Sequence, residues 1–286
     1  MVANAVDLGE SLTALESLTI DEFSRKVIKG ASGALADHAN PLRFNFFCVA
    51  MRILFEHTTG KLSPDELVRQ CAWFKANDDA GRPTRAQKVQ YAVQGGLTDL
   101  FVQKNLDVDA ASLRRPLISA VDELSKQVHG RETNLIEGLE AQYSAVENVI
   151  KAMHAFLSAY HDCRNAIIDP IREELDDAAV DALISETVLA VDELASHHSV
   201  DEVYIHNIEV HEIGPSTVKY RAVGSLSVTL QWGSNSDLRN GDGAELEEGF
   251  PFQCDIEAPL DSPWNLDLAD TMYEVDTSSW FGHEPE

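Results

Sequence analysis

Hydrophobic positions recur with the period of a helix through the first two-thirds of the chain and alternate one by one in the last third. The longest helical pattern runs from Ile136 to Tyr160, where apolar residues follow each other in steps of three and four. Such a narrow seam predicts one long helix that packs on another helix, either of the same chain or of a second copy. Another helix is expected from Asp176 to Ser196, with these apolar residues inward: Val180, Leu183, Ile184, Val188 and Leu194.

Three shorter helices are predicted from their end signals. Asn40–Pro41 combines a capping side chain with proline at the first helical position, and its helix should run to about His57. The run Ser63-Pro64-Asp65-Glu66 has the pattern of a capping box and predicts a helix toward Phe74. Thr84 should cap a third helix, which Gly95 and Gly96 end.

After His197 and His198 the pattern changes to the alternation of strands. Gly214–Pro215 and the run 240–243 are expected as turns between them. The alternating apolar residues are Val203, Ile205, Ile208, Val210, Leu226, Val228, Leu230, Trp232, Phe250, Phe252, Cys254 and Ile256. The predicted fold class is therefore α+β: an N-terminal segment 1–36, a helical-bundle domain 37–196, and a small antiparallel β domain 197–286.

Charge is distributed unevenly along the chain. The whole chain has 48 acidic and 22 basic side chains and a net charge of -26, which opposes general attraction to nucleic acid or to anionic membrane. Residues 43–131 nevertheless hold 13 Lys and Arg against 10 Asp and Glu, whereas residues 197–286 hold 3 against 18. Any nucleic-acid site is therefore expected to be local, in the helical domain. The acidic β domain is a candidate surface for a protein partner.

Several protein classes are disfavoured by what the sequence lacks. Residues 1–11 show no basic region followed by an apolar run, and no stretch reaches 18 apolar residues, so we expect a cytoplasmic protein with no membrane association. The four cysteines are scattered singly and are expected to be reduced thiols. No Gly-rich phosphate loop, nucleophile elbow or HExxH motif is present.

Arg52 and His57 form the first candidate catalytic pair. Their Arg-x4-His spacing is that of helical ribonucleases of the HEPN class, in which arginine holds the phosphate and histidine takes part in attack by the 2′-hydroxyl. A chain of this composition contains about one such spacing by chance. The alternative is that Arg52 is a solvated helix residue and that His57 lies near a helix C-terminus, where a positive charge is favoured.

A second candidate site combines phosphate-binding and catalytic residues. Arg82 precedes the helix capped by Thr84, and Arg85 and Lys88 lie three residues apart on it, so they are candidates for an anion site. In the run 129–132, His129 is the candidate acid or base and Arg131 the candidate phosphate clamp. The alternative is a solvated helix end with exposed ion pairs.

The turn after the second strand offers oxygen ligands, namely Asn235, Asp237, Asn240, Asp242 and Glu245. Arg239 stands where a calcium-binding loop would place a ligand, so a polar hairpin loop explains this run better. His197, His198, His206 and His211 lack the spacing of metal ligands. No metal site and no cofactor are therefore identified, and Mg²⁺ is the cofactor to test if the chain is a nuclease.

Several segments taken together resemble a known bacterial family. They are Asn40-Pro41-Leu42-Arg43, Ala50-Met51-Arg52, His57, Cys71-Ala72-Trp73-Phe74, Thr84-Arg85, Tyr91 to Leu97, Leu124-Ser125-Lys126, His129, Gly224-Ser225-Leu226, Leu230 to Asp237, Gly241-Asp242-Gly243, Phe250-Pro251-Phe252 and Val275 to Trp280. From about residue 37 to 281 the chain is similar to predicted pPIWI-associating nucleases, a family associated with prokaryotic defence islands. The resemblance implies a role in anti-phage defence.

Two functions are therefore expected from the sequence. The first is a nucleic-acid-processing or nucleic-acid-sensing defence protein with a cationic cleft in the helical domain. In it Arg43, Arg52, Arg82 and Arg85 bind phosphate, and His57 or His129 transfers the proton. The second is a non-enzymatic adaptor whose acidic β domain binds a basic nuclease or Argonaute-like protein. A homodimer through the 136–160 helix is compatible with either function.

Overall fold

The predicted α+β arrangement is confirmed: helices occupy the first part of the chain and an antiparallel sheet the last. The computed structural model describes residues 2–77, 79–128, 136, 138–185 and 188–282. The chain divides into two compact units, Met1–Cys163 and Arg164–Glu286. The domain limits inferred from the sequence, 37–196 and 197–286, stay a prediction. Among the described residues, no helix has both the length and the apolar character needed to cross a bilayer.

Unit 1 is built from helices. They are α1 (Val2–Ser17), α2 (Glu22–Ala36), α3 (Arg43–Leu62), α4 (Asp65–Gln70), α5 (Arg85–Gln94), α6 (Asp99–Asn105), α7 (Arg114–Val128) and α8 (Leu139–Ile168), whose last turn passes into unit 2. The core of the unit gathers around α3, which buries Phe47, Cys48, Met51 and Leu54 completely.

Two predicted helix starts are wrong. The Asn40 side chain accepts the Leu42 N–H at 2.9 Å and so forms a short turn before the helix, and α3 begins only at Arg43 and continues to Leu62. Ser63 does not cap α4, because its hydroxyl donates to the Lys88 carbonyl at 2.6 Å, and α4 ends at Gln70 instead of reaching Phe74. In the second case a tertiary hydrogen bond has displaced a local one.

The α5 helix has both predicted ends. Thr84 Oγ1 accepts the Gln87 N–H at 3.2 Å, and the Gln87 side chain accepts the Thr84 N–H at 2.8 Å, which completes a capping box. The helix ends at Gly95, whose φ of 56° lies in the left-handed region that a side chain disfavours. The Gly95 N–H donates to the Tyr91 carbonyl at 2.7 Å and closes the last turn.

The α8 helix confirms the long heptad-patterned helix and shows where its seam lies. Val146, Ile150, Met153 and Leu157 are all buried in the single chain. Packing within the chain therefore accounts for this part of the seam. Leu139, at the start of α8, is instead 54% exposed, and a dimer through the 136–160 helix stays a prediction.

The prediction of one continuous helix from 176 to 196 is wrong. A short 3₁₀ turn (Asp169–Ile171) is followed by α9 (Arg172–Ser185) and α10 (Leu189–Asp192). Val188, which immediately precedes α10, has an extended backbone and therefore cannot continue a helix. Ile184 was expected to point inward and is instead 61% exposed.

Unit 2 contains a four-stranded antiparallel sheet in the order β1-β2-β3-β4. Its strands are β1 (His197–Ile213), β2 (Thr217–Trp232), β3 (Ala244–Pro259) and β4 (Asp267–Val275). The alternation read from the sequence is confirmed, since Leu226, Val228 and Leu230 are buried on one face of β2. The connection from β2 to β3 holds a short helix, α11 (Asn235–Asn240), where only a turn was predicted.

Gly224 lies where neighbouring strands approach closely. It is level with Ile205 of β1 and with Phe252 of β3. A Cβ at position 224 would lie 2.0 Å from the Tyr204 carbonyl oxygen and 2.8 Å from the Phe252 ring. Only glycine fits this position in the sheet.

The β1 strand carries three irregularities in its pairing with β2. The register shifts between Val200 and Glu202, between Ile205 and Asn207, and between Val210 and Glu212. Each shift leaves one β1 residue without an opposite partner, and these extra residues are Asp201, His206 and His211. They are β-bulges, which add local twist to this edge strand.

Candidate nucleic-acid interface

A surface groove lies between α5 and α7 in unit 1, with a volume of about 770 Å³. Leu117, Val121 and Leu124 form the buried side of α7, so the opposite side of that helix faces outward. The groove is lined from α7 by Arg114, Arg115, Ile118, Ser119, Asp122, Glu123 and Lys126, and from α5 by Ala86, Gln87 and Gln90. We call it the α5–α7 groove.

Arg114 is the most firmly held cation of the groove. Its guanidinium donates to Gln90 Oε1 at 2.6 Å and to Asp99 Oδ2 at 2.5 Å. The Gln94 side chain, which is fully buried, donates to Asp99 Oδ1 at 3.1 Å. This network links α5, α6 and α7, and it holds the Arg114 guanidinium in one orientation at the groove wall.

The other cations of the groove are more exposed. Arg85 Nη1 donates to Asp122 Oδ1 at 2.9 Å, and Lys126 Nζ donates to Glu123 Oε1 at 2.5 Å. Arg115 is exposed, and no ion pair joins it to another described residue. Exposed ion pairs contribute little to stability, so phosphate oxygens can replace the carboxylates without a large cost.

Arg85 and Lys88 were predicted to share one anion site, and their contacts differ. Lys88 Nζ lies 2.5 Å from Asp65 Oδ1 of α4, whereas Arg85 is paired with Asp122 of α7. Arg82 lies exposed in the loop before α5. Arg85 therefore contacts a residue of the groove, Asp122, whereas Lys88 contacts α4.

Arg52 and His57 both lie on α3, and each is paired separately. Five residues turn a helix by about 140°, so the two side chains leave α3 in different directions. Arg52 Nε donates to Glu56 Oε1 at 2.9 Å on the same helix, whereas His57 Nε2 donates to Asp21 Oδ2 at 2.8 Å. The described contacts do not bring the two residues to one point.

Asp21 is the centre of a small charged cluster. It caps α2 by accepting the Ser24 N–H at 2.8 Å, and it also accepts from Lys61 Nζ at 3.0 Å. Partial burial alone would raise the pKa of the Asp21 carboxyl, but the hydrogen bonds from His57, Ser24 and Lys61 hold this pKa well below its usual range. The Phe23 ring packs against the His57 ring with their centroids 4.5 Å apart.

The remaining predicted site residues are distributed as follows. The Arg43 guanidinium contacts His38 Nδ1, and both residues line a cavity of about 210 Å³ between α1, α2, α3 and α8. His129 and Arg131 lie outside the described residues. By sequence they directly follow α7, the helix that forms one wall of the α5–α7 groove.

The side chains of the oxygen-rich turn form hydrogen bonds within the turn itself. The Asp237 carboxylate accepts the Ser234 N–H and the Ser234 hydroxyl, each at 2.7 Å, and these hydrogen bonds lower the pKa of Asp237. Arg239 donates to the Asn235 carbonyl at 3.0 Å. Within the described part of the chain, no group of three or more His, Cys, Asp or Glu side chains is placed to hold a metal ion.

The α7 cations are not marked by any motif of the sequence. Arg115 and Lys126 lie on the outward side of a helix whose buried side has a regular spacing of four and three residues, whereas Arg114 lies three residues before Leu117, at the edge of that buried side. That spacing was a usable signal, because it fixes which residues of α7 face outward. The partners Gln90 and Asp99 could not be found in this way, since they come from other helices.

The fold and the groove define a class of protein: a helical unit that carries a cation-lined surface groove, followed in the chain by an antiparallel sheet unit. Two family models, both described as predicted pPIWI-associating nuclease, match residues 15–153 and 160–281. The chain belongs to this family. No curated protein and no solved structure matches it.

Proposed function

We propose that this protein processes nucleic acid in bacterial anti-phage defence, and that the α5–α7 groove is its phosphate-binding surface. The observation that carries the proposal is that Arg114, Arg115 and Lys126 line one groove of a strongly acidic chain, and that Arg85 is hydrogen-bonded to the groove residue Asp122. Membership of a predicted nuclease family supports it. Membership of this family does not favour the alternative function, a non-enzymatic adaptor.

The charge distribution supports a local site. Residues 82–128 hold seven Lys and Arg against five Asp and Glu, a net charge of +2, in a chain whose net charge is -26. At physiological salt, charges more than about 8 Å apart are largely screened from each other. A phosphate backbone in the groove therefore experiences mainly the charges of the groove itself, and the acidic remainder of the chain opposes binding elsewhere.

Cations of the groove would bind phosphate by exchanging their carboxylate partners for phosphate oxygens. Arg114 provides a fixed guanidinium, and Arg115 provides an exposed one. Arg85 and Lys126 would leave Asp122 and Glu123 and turn to phosphate oxygens, which guanidinium groups bind in a bidentate manner. Such contacts follow the backbone and do not distinguish bases.

For hydrolysis, a group that accepts a proton near neutral pH is needed besides the phosphate contacts. His57 and His129 are the candidates for this role, and the described contacts of the His57 ring are with Asp21 and Phe23 and not with the groove. Asp21 holds the His57 ring in one orientation, as catalytic histidines require, and no other hydrogen bond joins this ring to a described residue. His129 follows α7 in the sequence, three residues after the groove residue Lys126.

The test is binding and cleavage of labelled single-stranded RNA, single-stranded DNA and duplex DNA, with and without Mg²⁺. The binding variant is Arg115→Glu with Lys126→Glu, and the control is Lys29→Glu, which changes an exposed lysine of α2. The cleavage variants are His57→Ala and His129→Ala, each made alone. We expect the groove variant to lose binding while the control retains it.

Loss of cleavage in one histidine variant with binding retained would identify the proton-transfer residue. Binding without cleavage by the wild-type protein would assign it a sensing role. Absence of salt-dependent binding to all three substrates would refute the proposal.

A further inference from the structure

A cavity of about 210 Å³ lies between α1, α2, α3 and α8, and all the residues that line it belong to unit 1. Its apolar wall is formed by Leu8, Leu12, Leu35, Ala36, Phe44 and Val146. The rest of its lining consists of Gly9, Ser32, His38, Arg43, Gln142 and Tyr143. We call it the α1–α8 cavity. An apolar cavity of about 150 Å³ binds benzene, so this one has room for a single ring with a polar group attached.

Arg43 gives the cavity a positive charge that no carboxylate neutralises. Its guanidinium donates to His38 Nδ1, a contact that requires the His38 ring to be neutral, with its proton on Nε2. Within the described part of the chain no acidic side chain forms an ion pair with Arg43, and no described acidic residue lines the cavity. The cavity is therefore cationic in a chain that has 48 acidic side chains.

Two further features at the cavity favour an anion. The Tyr143 hydroxyl forms no hydrogen bond with any described residue, so it can donate one to a ligand. Arg43 and Phe44 are the first two residues of α3, and the residue before them, Leu42, offers no side-chain acceptor to the N–H groups of the first turn. The positive end of the α3 dipole therefore lies beside the cavity.

The lining also determines the class of ligand. A single guanidinium compensates one negative charge, whereas a phosphate dianion would keep an uncompensated charge beside an apolar wall, which is costly. A guanidinium binds a carboxylate through two parallel hydrogen bonds. Sites for drug-sized ligands have volumes of about 300 to 1,000 Å³, so a nucleotide is too large for this cavity. The fitting ligand is a small monoanion with an apolar body.

We propose that the α1–α8 cavity binds a small monocarboxylate that has one aromatic ring or a short aliphatic chain. Its carboxylate would bind Arg43 and the Tyr143 hydroxyl, and its apolar part would pack against the wall, where Leu12, Phe44 and Val146 are buried. The site does not depend on the proposed function, because no residue that lines the α5–α7 groove lines this cavity.

The first experiment titrates para-fluorobenzoate with the full chain and follows the fluorine NMR signal of the ligand. We expect saturable binding with a Kd of about 1 mM or below. The neutral para-fluorobenzyl alcohol has the same ring without the charge and should bind at least about tenfold more weakly.

The matched variants assign the charge to one residue. Arg43→Met should weaken the binding of para-fluorobenzoate at least about tenfold, because it removes a charged hydrogen-bond donor. The control is Arg25→Met, which changes an exposed arginine of α2 and should bind as the wild type does. Absence of saturable binding by the wild type, equal binding of the alcohol, or unchanged binding by Arg43→Met would overturn the proposal.

The second experiment locates the ligand and stays informative if Arg43→Met fails to fold. Ser32 is exposed and lines the cavity, whereas its neighbour Gly33 is exposed and does not line it. Saturating para-fluorobenzoate should therefore slow the alkylation of Ser32→Cys by iodoacetamide several-fold and leave Gly33→Cys unaffected. The four native cysteines are buried and do not compete. Equal rates with and without the ligand at position 32, or equal slowing at both positions, would contradict a ligand in this cavity.

Discussion

His57 Nε2 donates a hydrogen bond to Asp21 Oδ2 at 2.8 Å, between side chains that are 36 residues apart in the sequence. The contact joins the first residue before α2 to the C-terminal half of α3. Lys61 donates to the same oxygen from one turn further along α3. One carboxylate therefore joins the start of α2 to two residues of α3, which makes its effect on stability measurable.

The first prediction separates the two roles of Asp21. Asp21→Asn keeps a good helix-capping side chain but loses the charged contacts with His57 and Lys61, so it should cost about 1 kcal/mol. Asp21→Ala also loses the cap and should cost about 1 kcal/mol more. Urea unfolding of both variants measures these free energies. Equal costs for the two variants would show that the cap contributes nothing.

The second prediction concerns the pH dependence of stability. Because the pKa of Asp21 is lowered in the folded protein, its contribution is present above the unfolded pKa of about 3.9. It is lost as the pH falls below that value toward the folded pKa. The free energy of unfolding, measured from pH 7 to pH 3, should therefore fall more steeply for the wild type than for Asp21→Asn. Parallel curves would contradict the prediction.

The third prediction compares two strand glycines. Gly224→Ala places a methyl group 2.0 Å from a backbone oxygen, so the strands must separate, and we expect a loss of roughly 2 to 3 kcal/mol. Gly249→Ala is the matched control, since its nearest neighbour would be 3.8 Å away. The midpoint temperature at which unit 2 unfolds, measured by tryptophan fluorescence, should decrease clearly only for Gly224→Ala.

The fourth prediction concerns a charged pair that joins two neighbouring strands of the sheet. Arg221 of β2 lies opposite Asp255 of β3 and donates two hydrogen bonds to it, at 2.6 and 2.7 Å. The hydrogen bond from Arg221 lowers the pKa of Asp255. A double-mutant cycle with Arg221→Gln and Asp255→Asn should give a coupling of about 1 kcal/mol, above the value for most exposed pairs. Additive effects of the two substitutions would exclude that coupling.

The fifth prediction gives the size of the effect expected at the α5–α7 groove. Each phosphate contact contributes about 0.7 to 0.9 to the slope of log K against log salt concentration. Removing Arg115 and Lys126 together should therefore lower this slope by about 1.5, with a similar effect for substrates of different sequence. Fluorescence anisotropy at several salt concentrations measures the slope. An unchanged slope would place the phosphate contacts elsewhere.

Much of the fold was predictable because its signals are local. The capping box at Thr84 needs only residues within one turn, and the alternation in β2 reports burial on one face of a sheet. The errors arose where distant groups compete with local ones. Ser63 has the sequence of a cap, but the Lys88 carbonyl, 25 residues away, accepts its hydroxyl. No pattern near residue 63 contains that information.

The candidate site was less predictable for the same reason. Sequence spacing places Arg85 and Lys88 on one side of a helix, yet Asp122 and Asp65, from different helices, pair with them separately. Arg114 was not selected, because its importance depends on Gln90 and Asp99. Helical periodicity identifies which residues face outward, whereas tertiary structure determines which of them meet.

The bulges of β1 determine how this sheet behaves toward other chains. Between Asp201, His206 and His211, the strand offers regular pairing for only four residues at a time. An incoming extended peptide would have to slip by one residue at each interruption, and it would lose hydrogen bonds each time. The long outer strand is therefore a poor template for growth of the sheet, and the molecule is protected at this edge from fibril formation.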